Sequence, residues 1–349
     1  MSNWSKETIL ITGHTGFKGS WLSLWLLELG ANVVGYSLPA ESNSHFNLCN
    51  LKERLTHVEG DIRDGANFEE VVHSHRPTFI FHLAAQPLVL PSYEIPAETF
   101  ETNVQGTVNV LEAMRNAPFV KGGVIVTTDK CYENCQWHYG YRENDRLGGK
   151  DPYSASKAMA EMAVQAYQSS FGTNVATARA GNVIGGGDFS PHRIIPDMIK
   201  GLSRHEEITL RNPGSIRPWM HVLDALNGYL LLGQALLNEN KSCREGWNFG
   251  PLENKGISVQ EVVEKGIEIW GAGGWRTSGQ AGSKEMGILR LNWDKAAHRL
   301  GWKPQFNWEE AIGQTVEWYR ACHQGEEAYK VSLMQLQFFL DKVQLHEVC

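Results

Sequence analysis

An apolar strand at Thr8–Thr12 runs without a break into T-G-H-T-G-F-K-G-S and then into a helix. Gly13, Gly16 and Gly19 carry the spacing G-x-x-G-x-x-G. In a strand–turn–helix the first glycine permits the tight turn. The second lets backbone approach a pyrophosphate, and the third lets helix and strand pack closely. Free N–H groups and the helix dipole then favour an anion at the helix start. A lone glycine triplet is weak, but this one has a strand before it and a helix after it. It points to a dinucleotide site; the bland alternative is a structural turn. Ser37 stands at the end of the second strand where an acid for the adenosine ribose is common. The motif therefore leaves NAD and NADP open. Lys18 either favours a 2′-phosphate or is solvated on the first helix.

The pattern after this turn keeps alternating. Strands are expected at Asn32–Ser37, His57–Asp61, Thr78–Ala84, Gly123–Thr128 and Asn174–Ala180. Helices are expected at Gly16–Leu29, Asn67–Ser74, Ala97–Asn116 and Asp151–Phe171. Such alternation implies right-handed crossovers and a Rossmann-type, doubly wound parallel sheet with helices on both faces. Past Gly185-Gly186-Gly187-Asp188, read as a flexible loop, strands shorten and amphipathic helices follow at Ser258–Trp270 and Trp308–Cys322. The expected organisation is a cofactor domain over 1–185, a smaller α/β substrate lobe over 186–325 and a tail over 326–349. Chain crossings near Val183 and Trp247 blur the first boundary.

Composition narrows the function classes. The chain has 349 residues, 42% hydrophobic and 20% charged, an ordinary globular balance. A net charge of −7 argues against a nucleic-acid surface. No run approaches the length of a membrane span, and M-S-N-W-S-K-E lacks a signal-peptide pattern. Six cysteines, at 49, 131, 135, 243, 322 and 349, form no metal-ligand pattern and read as free thiols in a reducing cytoplasm. No metal is expected. His73 and His75 read as solvated.

The second constellation lies in V-T-T-D-K-C-Y-E-N at 126–134 and Y-S-A-S-K at 153–157. Tyr153 and Lys157 share one helix face. A lysine ammonium beside a phenol favours phenolate, which suits proton transfer at a carbinol oxygen. A lone Y-x-x-x-K is common by chance, so its weight comes from context. Thr128, Asp129 and Lys130 end an apolar strand where side chains can enter a cleft. An acid beside such a site suggests elimination as well as oxidation. Arg193 and Arg217 are the chosen cations for an acidic ligand, because a guanidinium fits phosphate by paired contacts. Asn182 is a further candidate for the ligand. Asn103, Arg179 and Arg211 read as structural, and Trp219, Trp293 and Trp302 as packing.

With these stretches, H-L-A-A-Q at 82–86, N-V-Q-G-T at 103–107, A-R-A-G-N-V at 178–183, R-P-W-M-H-V at 217–222, W-N-F-G-P at 247–251 and L-N-W-D-K-A-A-H-R-L-G-W at 291–302 complete a pattern. The chain resembles the extended short-chain dehydrogenase/reductases that act on nucleotide sugars. Its glycine turn, D-K-C-Y-E-N and R-P-W-M-H-V look like the CDP-glucose 4,6-dehydratase branch. Other branches usually carry Asp-Glu where Asp129-Lys130 stands. The resemblance implies NAD as cofactor, CDP-glucose as substrate, a homodimer and a role in deoxysugar supply for surface polysaccharide such as lipopolysaccharide O-antigen. It implies catalytic roles for Thr128, Asp129, Lys130, Tyr153 and Lys157. It places cofactor contacts at Gly13, Thr15, Gly16, Phe17, Gly19, Asp61, Ile62, Leu83, Ala84 and Ala85, and again at Tyr153 and Lys157. The rival readings are a nucleotide-sugar 4-epimerase, which needs no acid at 129, and a cofactor-sensing regulator, which needs no catalytic set.

Overall fold

The structure, a computed structural model, describes residues 4–191, 193–253, 256–278 and 289–348. Cys349, read above as a free thiol, lies outside the described residues. Thirteen strands are seen among the described residues: β1 (Thr8–Thr12), β2 (Asn32–Ser37), β3 (Thr56–Glu59), β4 (Phe79–His82), β5 (Gly122–Val126), β6 (Val175–Ala180), β7 (Asn182–Ile184), β8 (Ile208–Leu210), β9 (Ile216–Arg217), β10 (Trp219–His221), β11 (Gly246–Phe249), β12 (Ile257–Ser258) and β13 (Trp275–Thr277). The helices are α1 (Phe17–Glu28), α2 (His45–Leu48), α3 (Gly65–His75), α4 (Val89–Glu94), α5 (Pro96–Phe100), α6 (Gly106–Asn116), α7 (Pro152–Phe171), α8 (Ile194–Ser203), α9 (Val222–Leu237), α10 (Val259–Trp270), α11 (Asp294–Leu300), α12 (Trp308–His323) and α13 (Ala328–Val348).

Seven strands form the main sheet in the order β11-β6-β5-β4-β1-β2-β3, every pairing parallel. The order reverses between β1 and β4, so a ligand crevice opens beyond the strand ends there. Alternation along the strands feeds two helical layers. Ile9 and Ile11 face one layer with Trp21, Trp25 and Leu226 of α1 and α9. Leu10, Ile80 and Ile125 face the other with Phe68, Leu111 and Val164 of α3, α6 and α7. This is the doubly wound Rossmann-type sheet the alternation predicts.

Several expected boundaries move for identifiable reasons. The strand read to Ala84 ends at His82, because the Leu83 and Ala84 amides turn to Thr12 Oγ1, each at 3.2 Å. The strand read to Thr128 ends at Val126, and Thr127 gives its hydroxyl to Glu161. The long helix read over Ala97–Asn116 is two helices joined by a π-helical turn at Glu101–Gln105. In that turn Asn103 is fully buried. Its Nδ2 donates to Ser156 Oγ at 2.9 Å, and its Oδ1 accepts from the Gln86 amide at 2.8 Å.

Gly185–Asp188 is not a loose loop. All four residues are buried, and the Gly186 carbonyl accepts from Trp21 Nε1 at 2.8 Å. Trp318 of α12 packs directly on the Gly186 Cα. The tail is a docked helix. In α13, Ser332 Oγ accepts from Trp318 Nε1 at 2.9 Å and meets His45 Nε2 at 3.0 Å, while Phe339 is fully buried against Trp25 and Phe306. No helix of the described residues is long and apolar enough to cross a membrane.

Gly186→Ala tests that packing. A methyl group there overlaps the Trp318 ring, so the variant is expected to lose about 1–3 kcal/mol of stability. Urea denaturation of the two proteins measures it.

Candidate active site

The glycine turn is shaped by close approach. Gly13 has φ +73°, a left-handed conformation that favours glycine, and its amide donates to Tyr36 O at 2.9 Å. A Cβ at Gly13 would sit 2.7 Å from Ala84 N, so Leu83 and Ala84 are pressed against the turn. A Cβ at Gly19 would collide with the Gly13 carbonyl. Gly16, the N-cap of α1, brings no side-chain cap, so the first amides of the helix remain for an anion. These residues fit a dinucleotide pyrophosphate. Thr15 Oγ1 reaches Ser37 Oγ at 2.7 Å and donates to Leu38 O at 3.1 Å, which leaves hydroxyls at the end of β2 in place of an acid. Asp61 is engaged by Arg63, whose Nη2 donates at 2.6 Å, and that hydrogen bond holds its carboxyl below the usual range. Ile62 is buried in the core, packed on Gly106.

The helix that carries Tyr153 and Lys157 is well anchored. Pro152 opens α7, and Asp151 caps it by accepting from Ser154 N at 2.9 Å. Tyr153 and Lys157 are both buried one turn apart, and Lys157 Nζ donates to Val126 O at 3.2 Å. Thr128 Oγ1 donates to Asp129 Oδ1 at 3.0 Å. A Cβ at Gly181 would lie 2.8 Å from Pro218 and 3.1 Å from Asp129 Oδ2, so the segments of Asn182 and Arg217 converge on the acid. Arg193, ahead of α8, pairs with Asp188 at 3.2 Å. Among the described residues no cluster could hold a metal ion.

Burial sets the ionisation here. It pushes Asp129 above the carboxylate range against Lys130, the Thr128 hydrogen bond and Arg217. It pulls Lys130 down, although Asp129 and Asp151 favour its charge. It takes Lys157 down to about 8 and Tyr153 up to about 12. The expectation that Lys157 draws the phenol down is therefore corrected. Burial dominates Tyr153, its main relief comes from the Thr128 hydroxyl, and Lys157 is turned to the Val126 carbonyl.

Beside this centre lies a shallow cleft lined by Pro218, Trp219, Leu291 and Trp308 together with Arg217 and Arg290. Arg290 was missed in the sequence. It stands one residue before the L-N-W-D-K stretch, and only the fold brings it into the same cleft lining as Arg217. Arg179 is structural, as read. It lies fully buried and makes a paired contact with Glu161, Nη2 to Oε2 at 2.7 Å and Nε to Oε1 at 2.9 Å. Trp219 and Trp302 are buried packing residues.

The sequence profile of the GDP-mannose 4,6 dehydratase family matches residues 10–315. The chain belongs to that family. It is 42% identical over 348 residues, 97% of each chain, to CDP-glucose 4,6-dehydratase of Salmonella typhimurium. A crystal structure of DesIV, a dTDP-glucose 4,6-dehydratase from Streptomyces venezuelae with NAD bound, superposes with a TM-score of 0.78 at 26% identity, over 92% of this chain and 99% of that one. UDP-glucose 4-epimerase of Thermotoga maritima, solved with UDP-glucose, superposes with a TM-score of 0.77 at 25% identity, over 90% of this chain and 99% of that one.

The Glu161–Arg179 pair makes two tests. Arg179→Met strands a buried carboxylate and is expected to cost about 3–5 kcal/mol, while Glu161→Leu/Arg179→Met together recovers most of it; urea denaturation reports both. Burial raises the Glu161 carboxyl, but Arg179 and the Thr127 and Thr177 hydroxyls bring it below its ordinary 4.5. A lowered folded pKa means the stabilisation is whole above about pH 4.5 and fades as pH falls through the folded value. Acid unfolding of the double variant should lack that contribution.

Proposed function

We propose that the chain is a CDP-glucose 4,6-dehydratase that uses NAD. It converts CDP-D-glucose to CDP-4-dehydro-6-deoxy-D-glucose and water, a step toward deoxysugars of surface polysaccharide such as the lipopolysaccharide O-antigen. The observation that carries the reading is a buried, easily protonated Asp129 in hydrogen-bond contact with Thr128, in the same cleft as Tyr153 and Lys157. The 42% identity to a CDP-glucose 4,6-dehydratase across nearly the whole chain supports the nucleotide.

The glycine turn, Leu83, Ala84, Ala85 and α7 would hold NAD, which would supply a hydride acceptor for C4 and a hydride donor for C6. Tyr153, as phenolate, takes the proton of the sugar 4-hydroxyl, with the Thr128 hydroxyl steadying the phenolate. The 4-ketone acidifies the neighbouring C5 proton, and Lys130 takes that proton as a neutral amine, the form burial favours. Asp129 gives its proton to the departing 6-hydroxyl, which leaves as water. A proton returned to C5 completes the product. Arg193 and Arg217 meet the substrate diphosphate, Arg290 shares the cleft lining with Arg217, and Asn182 lines the sugar end.

In this reading residues 1–185 carry the cofactor and residues 186–325 the nucleotide sugar. Two copies pair through the exposed Met159, Met162 and Phe171 of α7, to be checked by sedimentation. The working compartment is the cytoplasm, in keeping with free thiols at Cys49, Cys131, Cys135, Cys243 and Cys322.

The superposition on UDP-glucose 4-epimerase keeps epimerisation as the second reading. A proton spectrum separates them: dehydration creates a C6 methyl group, and epimerisation keeps the 6-hydroxyl. CDP-, dTDP-, UDP- and GDP-hexoses are compared, and CDP-glucose should be preferred with no net build-up of reduced cofactor. Stoichiometric release of NADH would overturn the proposal.

Three variants separate the steps. Tyr153→Phe should abolish C4 oxidation. Asp129→Asn should oxidise normally and slow elimination by roughly 10²–10⁴-fold. The parental elimination rate should fall as pH rises through the raised Asp129 pKa, a dependence the Asn variant lacks. Lys130→Met should keep oxidation and slow washout of C5 deuterium; unchanged washout would remove Lys130 from the chemistry.

A further inference from the structure

Lys18 is the second residue of α1, inside the glycine turn. Its side chain does not serve the end of β2, where Thr15 and Ser37 bond to each other. Instead Lys18 Nζ lies over the Tyr229 ring of α9, 5.9 Å from its centroid. The charged groups facing it are Lys157 of α7, Arg193 ahead of α8, Asp129 beyond β5 and Asp188 of the glycine-rich loop. Each carboxylate already has another partner. Asp188 Oδ1 accepts from Ser190 N at 3.0 Å and its Oδ2 accepts from Arg193 at 3.2 Å. Asp129 Oδ1 accepts from Thr128, and its Oδ2 lies beside Gly181. Among the described residues Lys18 makes no hydrogen bond and no ion pair.

A half-buried ammonium without a counter-ion is costly in a dry cleft. Four cations, Lys18, Lys130, Lys157 and Arg193, share this region with three carboxylates, Asp129, Asp151 and Asp188, while Glu161, beside Lys157, is taken by Arg179. The deficit is negative charge, and two diphosphates enter this cleft in the proposed reaction, one on the cofactor and one on the substrate. We propose that Lys18 is a diphosphate-binding residue, its Nζ closing on a phosphate oxygen held between the glycine turn and Arg193. The inference rests on the proposed function for the identity of those ligands. Burial, helped by Lys157 and Arg193, pulls Lys18 down to about 7 against Asp129 and Asp188. A phosphate partner restores the ammonium, so at pH 8 ligand binding takes up protons.

The test uses NAD-loaded protein for CDP and protein freed of NAD for NAD, and does not depend on turnover. CDP binding is followed by calorimetry in two buffers of different ionisation enthalpy, and NAD binding by equilibrium dialysis. Lys18→Met should weaken one of the two ligands about 10- to 100-fold, the scale of a hydrogen bond to a charged group. It should also abolish the proton uptake that accompanies that ligand. Lys18→Arg should recover most of the affinity. Weakened CDP assigns the substrate diphosphate, and weakened NAD assigns the cofactor pyrophosphate. The variant should fold normally, because it gives up no internal ion pair or hydrogen bond, and its melting temperature checks this. Unchanged affinity for both ligands overturns the inference while leaving a protein that dehydrates CDP-glucose. Lys18-dependent binding without a C6-methyl product overturns the functional reading instead. A wild-type protein that binds neither ligand overturns both.

Discussion

The contact between the Arg179 guanidinium and the Glu161 carboxylate underlies the active site without touching it. Glu161 lies one turn beyond Lys157 on α7 and gathers the Thr127 and Thr177 hydroxyls. Arg179 extends the contact through Tyr132 to Asn248 of β11. Strand end, catalytic helix and the last strand of the sheet are thus bound into one buried polar network. Such a network is stable only when every member is satisfied, and here the carboxylate, guanidinium, phenol and amide all have partners. Thr128 and Asp129 follow Thr127 directly, so their positions inherit this rigidity.

Around that scaffold, exclusion of water does the electrical tuning. Asp129, Lys130, Tyr153 and Lys157 are each shifted toward the uncharged form, and in each case burial is the largest cause. A neutral carboxyl can donate, and a neutral amine can accept. The same dry environment that would be a liability in a binding protein prepares an acid and a base side by side. The Tyr153 phenol has the least favourable shift for a base, because burial holds its proton and only the Thr128 hydroxyl and distant Arg193 ease it. The resting cleft is therefore set for elimination more than for the oxidation that precedes it.

Much of this was legible in the chain because backbone constraints are local. Gly13 and Gly19 are glycines because nothing larger fits against Ala84 and the Gly13 carbonyl, and the spacing displays that need openly. The alternation Ile9, Leu10, Ile11 announces a strand covered on both faces. Other features depended on distant partners. The π-helical turn at Glu101–Gln105 hides inside an unbroken helical pattern, and its buried Asn103 is explained only by Gln86 and Ser156. The direction of Lys18 needs α9 in place, and Arg290 acquires meaning only once it shares a cleft lining with Arg217. The four buried residues from Gly185 to Asp188 look like a hinge in the sequence, yet Trp21 and Trp318 clamp them. The Tyr153–Lys157 spacing was plain, but spacing says nothing of how deeply the pair is buried.

The seam between β6 and β11 has a further consequence during synthesis. A ribosome delivers the chain from its N-terminus, and β6 emerges long before Gly246–Phe249. Until then β6 is the bare margin of the sheet, and the Tyr132 hydroxyl lacks the Asn248 side chain to which it will donate. An unpaired parallel margin is a template for pairing with another chain. The nascent protein thus passes through a stage in which β6 is an open parallel edge. Pairing with β11 closes that edge and in the same step gives the Tyr132 hydroxyl its Asn248 acceptor.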